Sequence, residues 1–326
     1  MANVHRIGDY ANDNDANRPM MQRRPMGMGG MMGGGNDEED PRSREDEANN
    51  PISRAYSRNS GDPRQENFWQ MLKIVFCPGF TFKSFIAVIT IIDVWMFIAS
   101  LAKSNGLSND DFLGIKTQTL WDLGAKDSYK LHSGQVQRWI LPMVLHGGFL
   151  HLLMNCVIQL IIGSLFEVIL GPLRVMIIYI LSGLGGILMG ALINDNVSVG
   201  ASTAIFGING GLIAFIIVNW IAMENIKELR CWILCMLIMF TLINVLFGLS
   251  STENIDNYGH LGGFITGLFI SMPLMIVLPT SMGRHQMPGM TYEKYCKYIG
   301  GVVWFLWIVG GITGFYLARH PNPKCL

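Results

Sequence analysis

Gly200-Ala201-Ser202-Thr203-Ala204-Ile205-Phe206-Gly207-Ile208-Asn209-Gly210-Gly211-Leu212-Ile213-Ala214-Phe215-Ile216-Ile217-Val218-Asn219-Trp220-Ile221-Ala222 contains no charged residue. A helix over 202–222 is long enough to cross about 30 Å of hydrocarbon. Runs of the same kind recur near 84–102, 147–169, 173–193, 231–249, 259–280 and 298–317. Together they predict seven membrane helices. One long hydrophilic stretch, about 103–139, follows the first span, and the other connections are short. The expected fold class is an all-α polytopic membrane protein.

The composition agrees. Of 326 residues, 50% are hydrophobic and 15% charged, against roughly 25% charged in an average soluble domain. Mean hydropathy is +0.32. The balance of 24 basic and 24 acidic residues gives no electrostatic case for a nucleic-acid partner. Six Cys without a CxxC pair argue against a disulfide-stapled miniprotein or a plain zinc ribbon. No HExxH sequence exists for a zinc hydrolase.

Charge is unevenly spread. Residues 1–67 hold nine Arg and twelve Asp or Glu, the Met/Gly tract Met26–Gly35 and the acidic run Asp37-Glu38-Glu39-Asp40. So little aliphatic surface cannot offset the entropy of ordering the chain, which predicts a disordered tail. No apolar h-region makes it a signal peptide, and its acidity argues against a mitochondrial presequence. The expected division is a disordered cytosolic tail over 1–67 and a six-helix core over 68–280. A cytosolic linker, a seventh helix and a short non-cytosolic end make up 281–326. With the tail cytosolic, Arg174, Lys227, Arg230, Arg284, Lys294 and Lys297 fall in cytosolic turns, and the short loops 194–201 and 250–258 carry no Lys or Arg.

Polar groups inside apolar spans cost free energy unless paired or facing a cavity. His146, His151 and Asn155 stand at the start of the second span, Ser202 opens the fourth and His260 the sixth. All three spans begin on the non-cytosolic side, so the residues share one shallow layer. Singly, each has an ordinary explanation. A membrane-helix Ser usually bonds the carbonyl four residues back, a His at a helix mouth is often interfacial, and Gly263 and Gly267 are a helix-packing pair. Together they fit acyl transfer. Ser is a weak nucleophile until a base takes its proton, and neutral His is the usual base near pH 7. A helix N-terminus at Ser202, with His151 and Asn155 one turn apart, offers donors for an oxyanion. Gly200 allows close backbone approach. Channels or transporters often carry charged groups near the midplane, but Asp93 is the single mid-span acid and is expected to be a helix-packing or interfacial polar group.

These residues resemble the rhomboid family of intramembrane serine proteases over about 80–317. Gly200-Ala201-Ser202-Thr203 resembles its GxSx motif, and His260 with Gly263 and Gly267 its HxxGxxxG motif. His146, His151 and Asn155 resemble the HxxxxHxxxN pattern, and Gln135-Val136-Gln137-Arg138 the first-loop ExWR motif. Gly163, Glu167, Gly171 and Arg174 resemble the GxxxExxxGxxR signature. The wording around Ser202 and the seventh helix look more like eukaryotic secretory-pathway members.

The resemblance implies a rhomboid-like six-helix core plus one extra C-terminal helix. It implies a Ser202 nucleophile, a His260 base and no third carboxylate. His151, Asn155 and the Ser202 N–H would form the oxyanion hole, with Gly200, His146 and Phe206 in support. Arg138 would hold the first loop together. The loop 103–139 would lie partly in the outer leaflet, the fifth helix would act as a side gate, and 250–258 would cap the site. Partners would be the lipid bilayer and single-span membrane proteins cleaved in or near their helix, with no metal, ATP or nucleic acid. The expected location is the secretory pathway or plasma membrane, with the site facing the lumen or outside. Departures are Gln135 and Gln137 for Glu and Trp, Gly259 for Ala, and Phe206 for Tyr. The alternative is an inactive rhomboid-like protein that binds membrane clients, against which the intact Ser202 and His260 argue. Minor expectations are a Glu167–Arg174 ion pair, packing roles for Cys231 and Cys235, and palmitoylation at Cys77 or Cys296.

Overall fold

The computed structural model describes residues 84–104, 106–108, 112–250, 256–278 and 291–318. The tail expected over 1–67, Cys77 and the middle of the 250–258 connection lie outside the described residues.

Seven long helices occupy the seven apolar runs: α1 Phe85–Lys103, α4 Phe149–Leu170, α5 Pro172–Ile193, α6 Ser202–Val218, α7 Lys227–Ser250, α8 Asn257–Leu274 and α9 Tyr292–Leu317. Between α1 and α4 run a short antiparallel hairpin (β1 Leu107–Ser108, β2 Gly114–Ile115) and two small helices, α2 Thr117–Leu123 and α3 Ser128–His132. Among the described residues, α1, α4, α5 and α9 are long and apolar enough by themselves to cross a membrane. α6 is as apolar but shorter. The protein is an all-α polytopic membrane protein.

Residues 219–222 fall outside α6, and α8 stops at Leu274 where a helix to 280 was expected. One side chain accounts for both ends. Asn219 follows α6, donates to Ile276 O (3.0 Å) and accepts from Leu278 N–H (2.7 Å), which holds 275–278 extended. Pro273 also removes a helical donor just before the stop.

α5, α6 and α8 pack on one another at the centre. Small residues make this possible. A Cβ on Gly263 would lie 2.0 Å from Thr203 O, and one on Gly267 2.1 Å from Gly207 O. The backbones of α6 and α8 therefore touch, as a GxxxG face permits. α9 lies against α8 and α5, with Gly300 on Met272, Gly311 on Leu188, and Trp307 Nε1 donating to Thr266 Oγ1 at 2.8 Å.

The first loop docks by its backbone. Ile115 N–H donates to Gly147 O (2.7 Å), and Phe149 N–H to Phe112 O (3.0 Å). Ile115, Leu120, Ala125, Leu145 and Leu152 form a small apolar core beneath it. Arg138 is buried, donating through Nη1 to Ala125 O (2.6 Å) and through Nε to Gln135 Oε1 (2.7 Å). The amide oxygen of Gln135 thus accepts this bond, at the position where the resemblance led to the expectation of Glu.

The expected Glu167–Arg174 ion pair is not formed. Glu167 instead accepts bonds from the Ser84 hydroxyl and the Phe85 and Ile86 N–H groups, each at 3.0 Å. It caps the start of α1, where a carboxyl is favoured by orphan donors and the helix dipole. Arg174 turns to Leu170 O at 3.4 Å. Asp93 packs between helices: it is buried and accepts from Gln159 Nε2 (3.0 Å), whose Oε1 accepts from Tyr179 (2.7 Å). This cluster sits where α4 widens into a π-turn, Gln159–Gly163. Cys231 and Cys235 are exposed on α7, not packed as expected, because that face meets no other described helix.

Candidate active site

Ser202 is the first residue of α6, and Ala201 before it supplies no side-chain cap. The N–H groups of Ser202 and Thr203 have no acceptor within the helix, whereas those of Ala204 and Ile205 donate to Ala201 O. Gly200 reaches the turn with φ of +132°, a conformation open chiefly to glycine. Its N–H donates to Pro142 O at 2.8 Å.

His260 lies in the first turn of α8. Ser202 Oγ and His260 Nε2 are 2.7 Å apart. The imidazole stacks on Phe206, with ring centroids 4.5 Å apart and planes 12° from parallel. Phe206 is one turn below Ser202 on α6, so both belong to one helix face. Among the described residues, His260 Nδ1 has no hydrogen-bond partner, so Ser202 and His260 stand as a pair without a third acid.

His151, near the start of α4, faces the same point. A Cβ on Gly200 would lie 2.8 Å from His151 Nε2 and 3.4 Å from Ser202 Oγ. His151 Nδ1 accepts from Gly147 N–H at 3.4 Å, which leaves Nε2 as the edge toward Gly200. His146 is fully buried and packs edge-on against His151, centroids 5.3 Å apart. Burial pushes its imidazole down to about 3, and the neighbouring His151 adds to this. His146 is therefore held neutral. Asn155 is on the expected face, and its amide donates to His151 O at 2.8 Å.

Three segments meet beside this layer through residues that the sequence did not single out. Lys126, between α2 and α3, is fully buried. Its ammonium lies 3.1 Å from Asp256 Oδ2 and donates to Asn194 Oδ1 at 2.7 Å. Asp256 is the N-cap of α8 and accepts from Gly259 N–H at 2.9 Å. Ser198, in the α5–α6 connection, donates to Asp256 Oδ2 at 2.8 Å. Burial alone would raise the Asp256 carboxyl, but Lys126 and the Gly259 and Ser198 donors hold it below its ordinary range. Burial pushes the Lys126 ammonium down, with Asp256 opposing. The one available signal was Asp three residues before a helical Gly, an N-cap pattern. Nothing in the sequence pointed to its partner.

Among the described residues, no three His, Cys, Asp or Glu side chains cluster as metal ligands would. The arrangement is suited to general-base activation of an alcohol, with backbone donors beside it.

A family model described as the Rhomboid domain matches residues 133–276, which include Arg138, the three histidines, Ser202 and both helix-packing glycines. The chain is 37% identical over 167 residues to RHOMBOID-like protein 5 of Arabidopsis thaliana, covering 50% of this chain and 52% of that protein. It is 30% identical over 248 residues to RHOMBOID-like protein 4 of the same plant, covering 71% and 61%. It is 33% identical over 212 residues to Rhomboid-like protease 3 of Toxoplasma gondii, covering 64% and 75%. The match thus spans only 61% and 52% of the length of the two plant relatives.

Proposed function

The chain belongs to the rhomboid family, and on that premise we propose that it is an intramembrane serine endopeptidase. The 2.7 Å approach of Ser202 Oγ to His260 Nε2 carries this reading. The 68–280 region serves as its catalytic core.

The chemistry follows from the pair. His260 Nε2 accepts the Ser202 proton as Oγ attacks a peptide carbonyl of the substrate. The carbonyl oxygen becomes an oxyanion, stabilised by the Ser202 N–H, the dipole of α6 and His151 Nε2. The peptide C–N bond then breaks, and the amine leaves with the proton held by His260. A water then gives its proton to His260 and attacks the ester at Ser202; the ester C–O bond breaks, Ser202 Oγ takes the proton back from His260, and the acid is released. Phe206 holds the imidazole plane throughout, and the neutral His146 supports His151.

The substrates are single-span membrane proteins, cut within or near the helix so that the ectodomain is released. A helix must unwind to present a carbonyl to Ser202, which favours small or helix-breaking residues at the cut. α7 is the side gate. It is joined to α6 by the Asn209–Thr241 bond (2.6 Å) and the Phe206–Phe240 contact, and it leaves Trp232, Met236, Met239 and Ile243 exposed. The N-terminus is cytosolic and the site faces the lumen or outside, in the secretory pathway or at the plasma membrane. The distribution of Lys and Arg in the short loops supports this orientation.

The test is covalent labelling by a fluorophosphonate probe in bilayers. The wild-type chain is expected to react, and Ser202→Ala to lose the label completely. A wild-type chain that is folded but unlabelled would favour the client-binding alternative.

A further inference from the structure

We propose that Lys126 and Asp256 form a positioning clamp that ties the first loop to the first turn of α8 and so fixes His260 against Ser202. The proposal rests on the serine-protease reading for its consequence, though the clamp itself is structural.

The geometry singles out this pair. Lys126 N–H donates to Ser198 O at 3.0 Å, so backbone and ammonium grip the same connection. Ser198 is four residues before Ser202, and Asp256 is four before His260. The Asp256 backbone carbonyl accepts from His260 N–H at 3.0 Å. One carboxylate thus bonds the loop through Lys126, the Ser202 approach through Ser198, and the turn bearing His260 through Gly259. The fit is close: a Cβ on Gly190 would lie 2.6 Å from Asp256 Oδ2. Arg138 anchors the other side by its bond to Ala125 O, the residue before Lys126.

A helix cap alone does not require a cation, since Asn or Ser would serve. Burying an ammonium completely is costly, and it is tolerated where several bonds satisfy it. The Lys126 ammonium has Asp256 and both the side-chain and backbone oxygens of Asn194, with Asp127 and Asp195 contributing charge nearby. What the ammonium adds to the cap is a link to distant chain. Asp256 is not a third catalytic acid, because its oxygens are taken by Lys126, Ser198 and Gly259. Both residues are positioning residues.

The experiment compares the full chain in lipid nanodiscs with Lys126→Met, Asp256→Asn and the double variant. The first readout is hydrogen–deuterium exchange at the Gly259 and His260 amides. The second is the rate constant of fluorophosphonate labelling for the folded fraction. In either single variant these two amides exchange at least about tenfold faster while those of α9 are unchanged, and labelling slows by roughly 10- to 100-fold. The double variant leaves no unpaired charge, so it regains thermal stability but still labels slowly. Wild-type labelling rates in the single variants overturn the proposal. So does faster exchange spread evenly over all helices, or a double variant that labels normally, since each would reduce the pair to a general staple. If the wild-type chain does not label at all, the protease reading fails, and the exchange readout alone decides the clamp.

Discussion

A methyl group on Gly200 would meet His151 Nε2 at 2.8 Å, from a backbone at φ +132°. Gly200→Ala therefore combines backbone strain of about 1–2 kcal/mol with a collision inside the site. It is expected to reduce fluorophosphonate labelling by at least about a hundredfold while the helical circular dichroism is retained. His146 gives a residue-scale pH effect. Its imidazole is held at about 3 in the folded chain, against about 6.5 when unfolded. The unfolded state binds the extra proton between those values, so stability is complete above about 6.5 and is lost as pH falls toward 3. From 6.5 to 5 the loss is about 2 kcal/mol. The thermal midpoint of the wild-type chain should drop more between pH 7.5 and 5 than that of His146→Gln; equal drops would contradict the assignment. Ser202, His260 and His151 were legible as residue types at one depth. Lys126 was not, because a lysine in a long hydrophilic loop carries no mark of burial.

At the scale of elements, the α6–α8 contact is set by backbone against backbone. A Cβ on Gly263 would lie 2.0 Å from Thr203 O, and a peptide oxygen in a helix cannot rotate away. Gly263→Ala is expected to destabilise by about 1–3 kcal/mol, as overpacked cores do, and to separate Ser202 from His260. On α9, a Cβ on Gly301 meets nothing within 4 Å. Gly301→Ala should be neutral or slightly stabilising, since alanine is the better helix former. Thermal unfolding in nanodiscs measures both. The GxxxG spacing revealed this interface in the sequence, and apolar length revealed the helices. The capping role of Glu167 was hidden, because spacing along one chain favours a local partner such as Arg174. The actual partner, the start of α1, is more than eighty residues away.

Across the whole molecule, charge determines the expected orientation. Asn196 is exposed in the α5–α6 connection, and Glu224 is exposed beyond α6. In a background without other cysteines, Asn196→Cys is expected to react with a membrane-impermeant thiol reagent on intact cells. Glu224→Cys should react only after permeabilisation, and the opposite pattern would reverse the assigned topology. The sequence by itself determined the class of fold and the positions of the apolar runs, and it led to the expectation that Ser202 and His260 share a layer. These depend on hydrophobic length, on loop charge and on period, which are local properties of a chain in a bilayer. Only the tertiary structure decided that Ser202 Oγ and His260 Nε2 meet at 2.7 Å and that Phe206 stacks on the imidazole. It alone decided that Asn155 turns to its own helix and that Lys126 closes on Asp256. The Ser202–His260 and Lys126–Asp256 contacts join residues far apart in sequence, and the first of them depends on the close packing of α6 and α8 that their glycines permit.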